Sequence, residues 1–287
     1  MAEITKVGVV GCGLMGSGIA DVCARAGLDV LVGEVSAEAA AAGKARVIAS
    51  LDRHLRSGRL SERDWEAALS RLVFTSDLGD FADRHLVLEA VAERREVKSA
   101  TITALDKVLD LPEAIIASNT SSIPIMELAA LTDRPDRVIG MHFFNPVPVQ
   151  QLVEVIPTQL TRDDVVERAT GFVTARLGKD AIQARDRSGF VVNALLVPYL
   201  ISAVRMLESG FACAEDIDTG MALGCAHPMG PLRLLDLIGL DTVQSVAESM
   251  YEEFKEPLYA PPPLLRRMVA AGTLGRKTGR GFYAYGE

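Results

Sequence analysis

Lys-Val-Gly-Val-Val-Gly-Cys-Gly-Leu-Met-Gly, residues 6–16, decides the fold. Five residues of buried-strand character run into Gly11, Gly13 and Gly16, and an Ala-rich helical stretch follows from Ser17 to Ala26. Gly27 ends that helix as a C′ glycine does. A second strand, Val30 to Gly33, leads to Glu34, about 20 residues beyond the glycine loop. Glycine-rich turns are common, so the triplet alone is weak; strand before, helix after and acid beyond make it specific. Gly11 permits the tight turn, Gly13 lets the backbone approach a pyrophosphate, and Gly16 lets helix and strand pack closely. The helix N-terminus offers free amides and partial positive charge to phosphates. A carboxylate at Glu34 accepts from ribose hydroxyls and repels a 2′-phosphate, which favours NAD over NADP. Leu14 and Met15 complete the cofactor-facing turn.

Outward from this unit the pattern repeats. Ser36 caps a long Ala-rich helix reaching about Ser57, and strands recur at Leu86–Leu88, Ile115–Ala117 and Arg137–Met141 with helical patterns between. Such alternation predicts a mostly parallel sheet covered by helices on both faces, a Rossmann-type α/β domain. A strand at Gln151–Ile156, a helix at Asp163–Leu177 and a strand at Asp180–Ala184 extend it. The texture changes after Asp186, and from Ser188 onward only helices are expected. Residues 1–186 therefore read as the dinucleotide domain and 187–287 as an all-α domain. Its first helix, Gly189 to about Ser209, is apolar on nearly all sides, with Pro198 predicted to kink it. A small helical domain hides such a helix only partly, which points to a homodimer formed through it.

The formal net charge of −8 argues against nucleic acid or an anionic membrane as partner. Cys12, Cys23, Cys213 and Cys225 have no metal-ligand spacing, so no metal is expected, and free thiols suit a reducing compartment. No signal peptide and no membrane-spanning run is read, and the expected location is cytoplasmic. Cys12, beside a helix N-terminus, reads as a small residue that fits the loop. The sharper expectation is a lowered thiol pKa and redox sensitivity.

The chemistry lies in Met-His-Phe-Phe-Asn-Pro-Val-Pro-Val-Gln-Gln-Leu-Val-Glu-Val, residues 141–155. His142 ends one apolar run and Glu154 lies inside the next. Imidazole is the side chain best suited to exchange a proton near neutral pH. A facing carboxylate holds its tautomer and stabilises the imidazolium. Inside an apolar strand, Glu154 would be a costly charge without such a partner. His54, His85 and His227 have no comparable setting and read as structural.

These segments occur in order with Leu-Glu-Ala-Val (88–91), Ala-Ser-Asn-Thr-Ser-Ser (117–122), Gly-Phe-Val-Val-Asn (189–193), His-Pro-Met-Gly-Pro-Leu (227–232), Gly-Leu-Asp-Thr (239–242) and Lys-Thr-Gly-Arg-Gly-Phe-Tyr (277–283). Together they resemble the 3-hydroxyacyl-CoA dehydrogenases over essentially the whole chain, and the free-standing length is similar to that of bacterial 3-hydroxybutyryl-CoA dehydrogenases. The resemblance implies an NAD-binding domain followed by a helical dimerisation domain. It also implies interconversion of a 3-hydroxyacyl-CoA thioester and its 3-keto form by hydride transfer, with no metal needed. It makes His142 the acid–base residue oriented by Glu154, and it gives Asn193 and Ser121 to the substrate. Glu93, Lys98, Asn145 and Lys277 go to the cofactor, and Ser50 to the CoA moiety. Where relatives place a lysine near that moiety this chain has Ser57, flanked by Arg56 and Arg59. The carrier is therefore open between CoA and a carrier protein. A sugar-acid dehydrogenase and a non-catalytic NAD-binding protein are the competing readings.

Overall fold

The computed structural model describes residues 3–286. The chain divides into two compact units, Met1–Asp186 and Arg187–Glu287.

The first unit is an eight-stranded sheet in the order β3-β2-β1-β4-β5-β6-β7-β8. β1 is Lys6–Val10, β2 Asp29–Gly33, β3 Leu72–Thr75, β4 Leu86–Glu89, β5 Ile115–Ser118, β6 Val138–Phe143, β7 Leu152–Pro157 and β8 Asp180–Gln183. β1 to β6 pair in parallel, β7 is antiparallel to β6, and β8 is parallel to β7. The Rossmann-type, mostly parallel sheet expected from the alternation is what forms. The helices are α1 (Leu14–Arg25), α2 (Ala37–Arg56), α3 (Glu62–Ser70), α4 (Arg95–Val108), α5 (Ile125–Ala129) and α6 (Asp163–Gly171). The buried faces of β1, β2, β4, β5 and β6 form one core with α1 and α2. Strand order reverses between β1 and β4, and in such sheets the ligand crevice lies at the carboxyl ends beside that reversal.

Three local features depart from the sequence reading. α1 begins at Leu14 rather than Ser17, because the helix opens directly on the glycine loop. α3 and β3 were not anticipated: Ser61 caps α3 by accepting from the Asp64 amide, and β3 is a half-buried edge strand with weak alternation. α6 gives way to a short wider-wound turn at Phe172–Arg176 instead of running straight to Leu177.

The second unit contains α7 (Val192–Glu208), α8 (Ala214–Gly224), α9 (Pro231–Ile238), α10 (Leu240–Phe254) and α11 (Pro263–Ala270). α7 continues through Pro198 as one helix. The tail is not purely helical, since short bridges pair Gly275 with Arg280 and Arg280 with Ala284. Two buried carboxylates hold it. Asp236 accepts from the amides of Phe282 and Tyr283 and from the Tyr285 hydroxyl, and Asp218 accepts from the Tyr283 hydroxyl. A Cβ on Gly281 would lie 1.9 Å from the Asp236 carboxylate, so only glycine fits there.

Candidate active site

The glycine loop meets the geometric demands of a dinucleotide. Gly11 has φ +89°, and a Cβ there would lie 2.7 Å from the Ala90 carbonyl oxygen. A Cβ on Gly16 would lie 1.7 Å from the Gly11 oxygen, so helix and loop touch backbone to backbone. A Cβ on Gly13 would meet no protein atom within 4 Å, which leaves its peptide open to an approaching pyrophosphate. Gly13 also caps α1 without a side-chain acceptor. Leu14 is 68% exposed at the same turn, with Met15 packed against the core. The residues present fit the adenine dinucleotide.

Glu34 stands half-buried at the end of β2, and its Oε1 accepts from the Cys12 amide at 2.6 Å. From α2, Arg46 Nε donates to the Cys12 carbonyl at 2.9 Å. The peptide of Cys12 is thus gripped from both sides, and the group read as the ribose selector also braces the loop. The Cys12 thiol is fully buried, and its pKa is pushed up to about 12 by desolvation first and the Glu34 charge second, with Arg46 opposing. This overturns the expectation of a lowered thiol pKa: burial outweighs the helix N-terminus, and the thiol stays protonated at neutral pH.

His142 and Glu154 are directly opposite each other on β6 and β7. Opposed residues of an antiparallel pair share one face of the sheet. His142 Nδ1 lies 2.7 Å from Glu154 Oε2, with His142 6% exposed and Glu154 fully buried. The Phe144 ring meets the imidazole edge-on at 4.6 Å between centroids. Carboxylate and aromatic ring together fix the imidazole's orientation. The link between the strands carries Asn145, exposed and joined to Pro146 by a cis peptide.

A second polar network closes the ends of β4 and β5. Glu93 Oε1 accepts from the Thr120 hydroxyl at 2.5 Å, the Ser121 amide at 2.9 Å and the Ser122 hydroxyl at 3.0 Å. Ser121 Oγ reaches the same oxygen at 3.4 Å. Lys98 Nζ lies 2.8 Å from Glu89 Oε1 and 3.1 Å from Glu93 Oε2. Ser118 Oγ donates to Glu89 Oε2 at 2.6 Å. Burial pushes the Glu93 carboxyl up, but the Lys98 charge and the Thr120 and Ser121 hydrogen bonds hold it below the ordinary value overall. Lys98, read as a cofactor contact, is 1% exposed and pairs with both Glu89 and Glu93. Neither serine caps α5. Asp186 does so, accepting from the Ile125 and Met126 amides at 2.7 Å each.

Ser50, read as a contact to the CoA moiety, lies in the helix pair of the first unit. It is buried, and its hydroxyl donates to Asp21 at 2.5 Å within the packing of α2 on α1. In the second unit, Asn193 is partly exposed in the first turn of α7. Lys277 is ion-paired with Asp241 at 2.6 Å. Sequence reasoning missed Asn119, whose side-chain oxygen accepts from the Phe143 amide at 2.8 Å and so ties the serine-rich loop to the strand of His142. It also missed Glu89. Both lie inside motifs already singled out, and a buried Asn or Glu at a strand end is the signal that points to them.

A family model for the 3-hydroxyacyl-CoA dehydrogenase NAD binding domain matches residues 6–187, and one for the 3-hydroxyacyl-CoA dehydrogenase C-terminal domain matches residues 189–285. A 3-hydroxybutyryl-CoA dehydrogenase of Mycobacterium tuberculosis is 56% identical over 98% of this chain and 99% of its own length. Among solved structures, M. tuberculosis FadB2 superposes with a TM-score of 0.98 at 55% identity, covering 99% of this chain and 100% of that one. The (S)-3-hydroxybutyryl-CoA dehydrogenase PaaH1 of Ralstonia eutropha does so with a TM-score of 0.94 at 47% identity, covering 99% and 100%. With the dinucleotide loop, the braced acid–base pair and this likeness in hand, the chain belongs to the 3-hydroxyacyl-CoA dehydrogenase family.

Proposed function

We propose that this protein interconverts (3S)-3-hydroxybutyryl-CoA and acetoacetyl-CoA. The observation that carries the reading is the 2.7 Å contact between His142 Nδ1 and Glu154 across two paired buried strands. With Nδ1 committed to the carboxylate, His142 exchanges its proton with substrate through Nε2. In the oxidative direction it takes the proton of the 3-hydroxyl. In the reductive direction it gives that proton to the oxygen at C3 as the carbonyl is reduced. Glu154 fixes the tautomer and stabilises the imidazolium. The glycine loop and Glu34 would hold NAD, which would supply the hydride acceptor for C3 in oxidation and, reduced, the hydride donor. Ser121 and Asn193 hold substrate oxygens, and Glu93 orders the Ser121 loop. The test is NADH oxidation with acetoacetyl-CoA, repeated with longer 3-ketoacyl-CoAs, a carrier-protein thioester and NADPH. Rapid turnover of acetoacetyl-CoA with NADH is expected, and none with any CoA thioester would defeat the reading. The carrier-protein arm matters because Arg53, Arg56 and Arg59 are exposed charged groups near the end of α2, where a lysine stands in relatives.

The Glu34 carboxylate selects NAD. In Glu34→Ala, NADH affinity is expected to fall about 10- to 100-fold, the worth of a hydrogen bond to a charged group, and the preference over NADPH to shrink. The loss reflects both the ribose contact and the brace on Cys12. Fluorescence titration with the two reduced cofactors measures it, and an unchanged preference would remove Glu34 from that role.

The second unit is the dimerisation domain in this reading. Leu195 on α7 is 76% exposed, Phe211 80% and Leu223 on α8 81%, apolar surface that a second copy would cover. Sedimentation at micromolar concentration is expected to give a dimer, and a monomer there would refute it. A cytoplasmic location fits the four unpaired cysteines. Among the described residues no helix is long and apolar enough to cross a membrane.

A further inference from the structure

The link between the strands of His142 and Glu154 spans residues 144–151. Links of about two to five residues are the ones that set register in most hairpins. β6 and β7 are buried on both faces, so no alternation of apolar and polar residues sets their pairing either. Register matters here, because a slip of one residue would send Glu154 to the face opposite His142. Something outside the hairpin has to hold it.

Lys179, just before β8, is 7% exposed. Its Nζ donates to the Val147 carbonyl at 2.9 Å and the Gln150 carbonyl at 2.6 Å. The next amide, Asp180 N–H, donates to the Gln151 carbonyl at 2.9 Å. On the other side Val147 is buried against α1, where a Cβ on Gly18 would lie 2.8 Å from the Val147 Cβ. The link is thus pinned between Lys179 and the helix that opens on the dinucleotide loop. Asp21, Cys23 and Arg25 of α1 also act on the ammonium: burial and then Arg25 lower its pKa, while Asp21 and Cys23 oppose. A desolvated ammonium with two carbonyl acceptors is a rigid anchor, because releasing either bond leaves buried polar atoms unpaired.

We propose that Lys179 is a positioning residue of the reaction, its buried ammonium fixing the 146–150 turn so that His142 stays opposite Glu154. The inference rests on His142 being the base. The test uses the full chain with Lys179→Met, which keeps the side chain's bulk and removes its donors, and Lys179→Gln, which retains donors for one carbonyl and serves if the first variant does not fold. Lys179→Met is expected to lower kcat about 10- to 100-fold, as small misplacements of reacting groups do, with a smaller change in NADH affinity. Lys179→Gln is expected to lose less in the same direction. In one-dimensional proton NMR, the downfield Nδ1–H resonance of the His142–Glu154 bond is expected to shift or broaden in both. A lysine that only stabilises the fold would lower the melting temperature and leave kcat per folded enzyme and that resonance at wild-type values. That result in a folded variant overturns the proposal. Absence of wild-type turnover defeats the proposed function instead, whereas the resonance, read without substrate, reports on Lys179 independently.

Discussion

Replacing His142 with alanine is expected to lower kcat for acetoacetyl-CoA reduction by about 10²- to 10⁴-fold, the usual worth of a positioned acid–base group. NADH affinity should stay within about threefold, since a residue that acts on the reacting proton weighs on kcat and not on cofactor binding. The glycine loop lies at the end of β1 and the dyad on β6 and β7, with different hydrogen-bond partners. The alanine variant also strands Glu154, a fully buried carboxylate, without its imidazole. Part of any loss is therefore instability, because removing one partner of a buried pair is costly. His142→Gln separates the two effects: it restores a donor for Glu154 but has no group that titrates near neutral pH. If kcat per folded enzyme is equally low in both variants, the loss belongs to proton transfer. Near-normal turnover of acetoacetyl-CoA in His142→Gln would remove His142 from the acid–base role.

The parts of this molecule that were legible in sequence are those governed by local rules. The glycine loop announces itself because Gly11, Gly13 and Gly16 each answer a separate steric demand of one turn, and the structure displays all three demands at those positions. His142 and Glu154 were legible as a pair because a lone charge inside an apolar strand is implausible. β3 was not legible, since a four-residue, half-buried edge strand has neither the length nor the periodicity to stand out. The internal partners of Ser50, Lys98 and Lys179 were not legible, for one shared reason. A Ser or Lys on a helix or turn looks like surface in one dimension. Whether it points at water or at a buried Asp21, Glu89 or Val147 carbonyl is decided by elements brought together from distant parts of the chain. Lys98 lies nine positions from Glu89, but the contact forms because α4 folds back over β4.

That burial makes Lys98 the site of the largest expected loss of stability. Its ammonium is the cation facing Glu89, which is fully buried, and Glu93, whose side chain is 30% exposed. Lys98→Met keeps the volume and removes the charge, so the Glu89 and Glu93 carboxylates lose the cation between them. Breaking a buried ion pair from one side costs about 3–5 kcal/mol, and a loss of that order is expected here in urea unfolding at neutral pH. The pH dependence gives the mechanism a second check. In the wild type the Glu93 carboxyl is held below its ordinary value of 4.5, chiefly by the Lys98 charge working against desolvation. A depressed folded pKa contributes stability that is fully present above the unfolded value and is lost as the pH falls through the folded one. In Lys98→Met burial is opposed only by the Thr120 and Ser121 hydrogen bonds, so the Glu93 carboxyl takes up its proton at higher pH than in the wild type. Protonation relieves the repulsion in the variant while acid removes the ion pair from the wild type. The stability gap between the two proteins should therefore be widest at neutral pH and narrow steadily on acidification. A gap that stays constant across the acid range would mean that Lys98 contributes packing and not charge, and that the Ser121 loop is ordered by its own hydrogen bonds to Glu93 without the lysine beneath it.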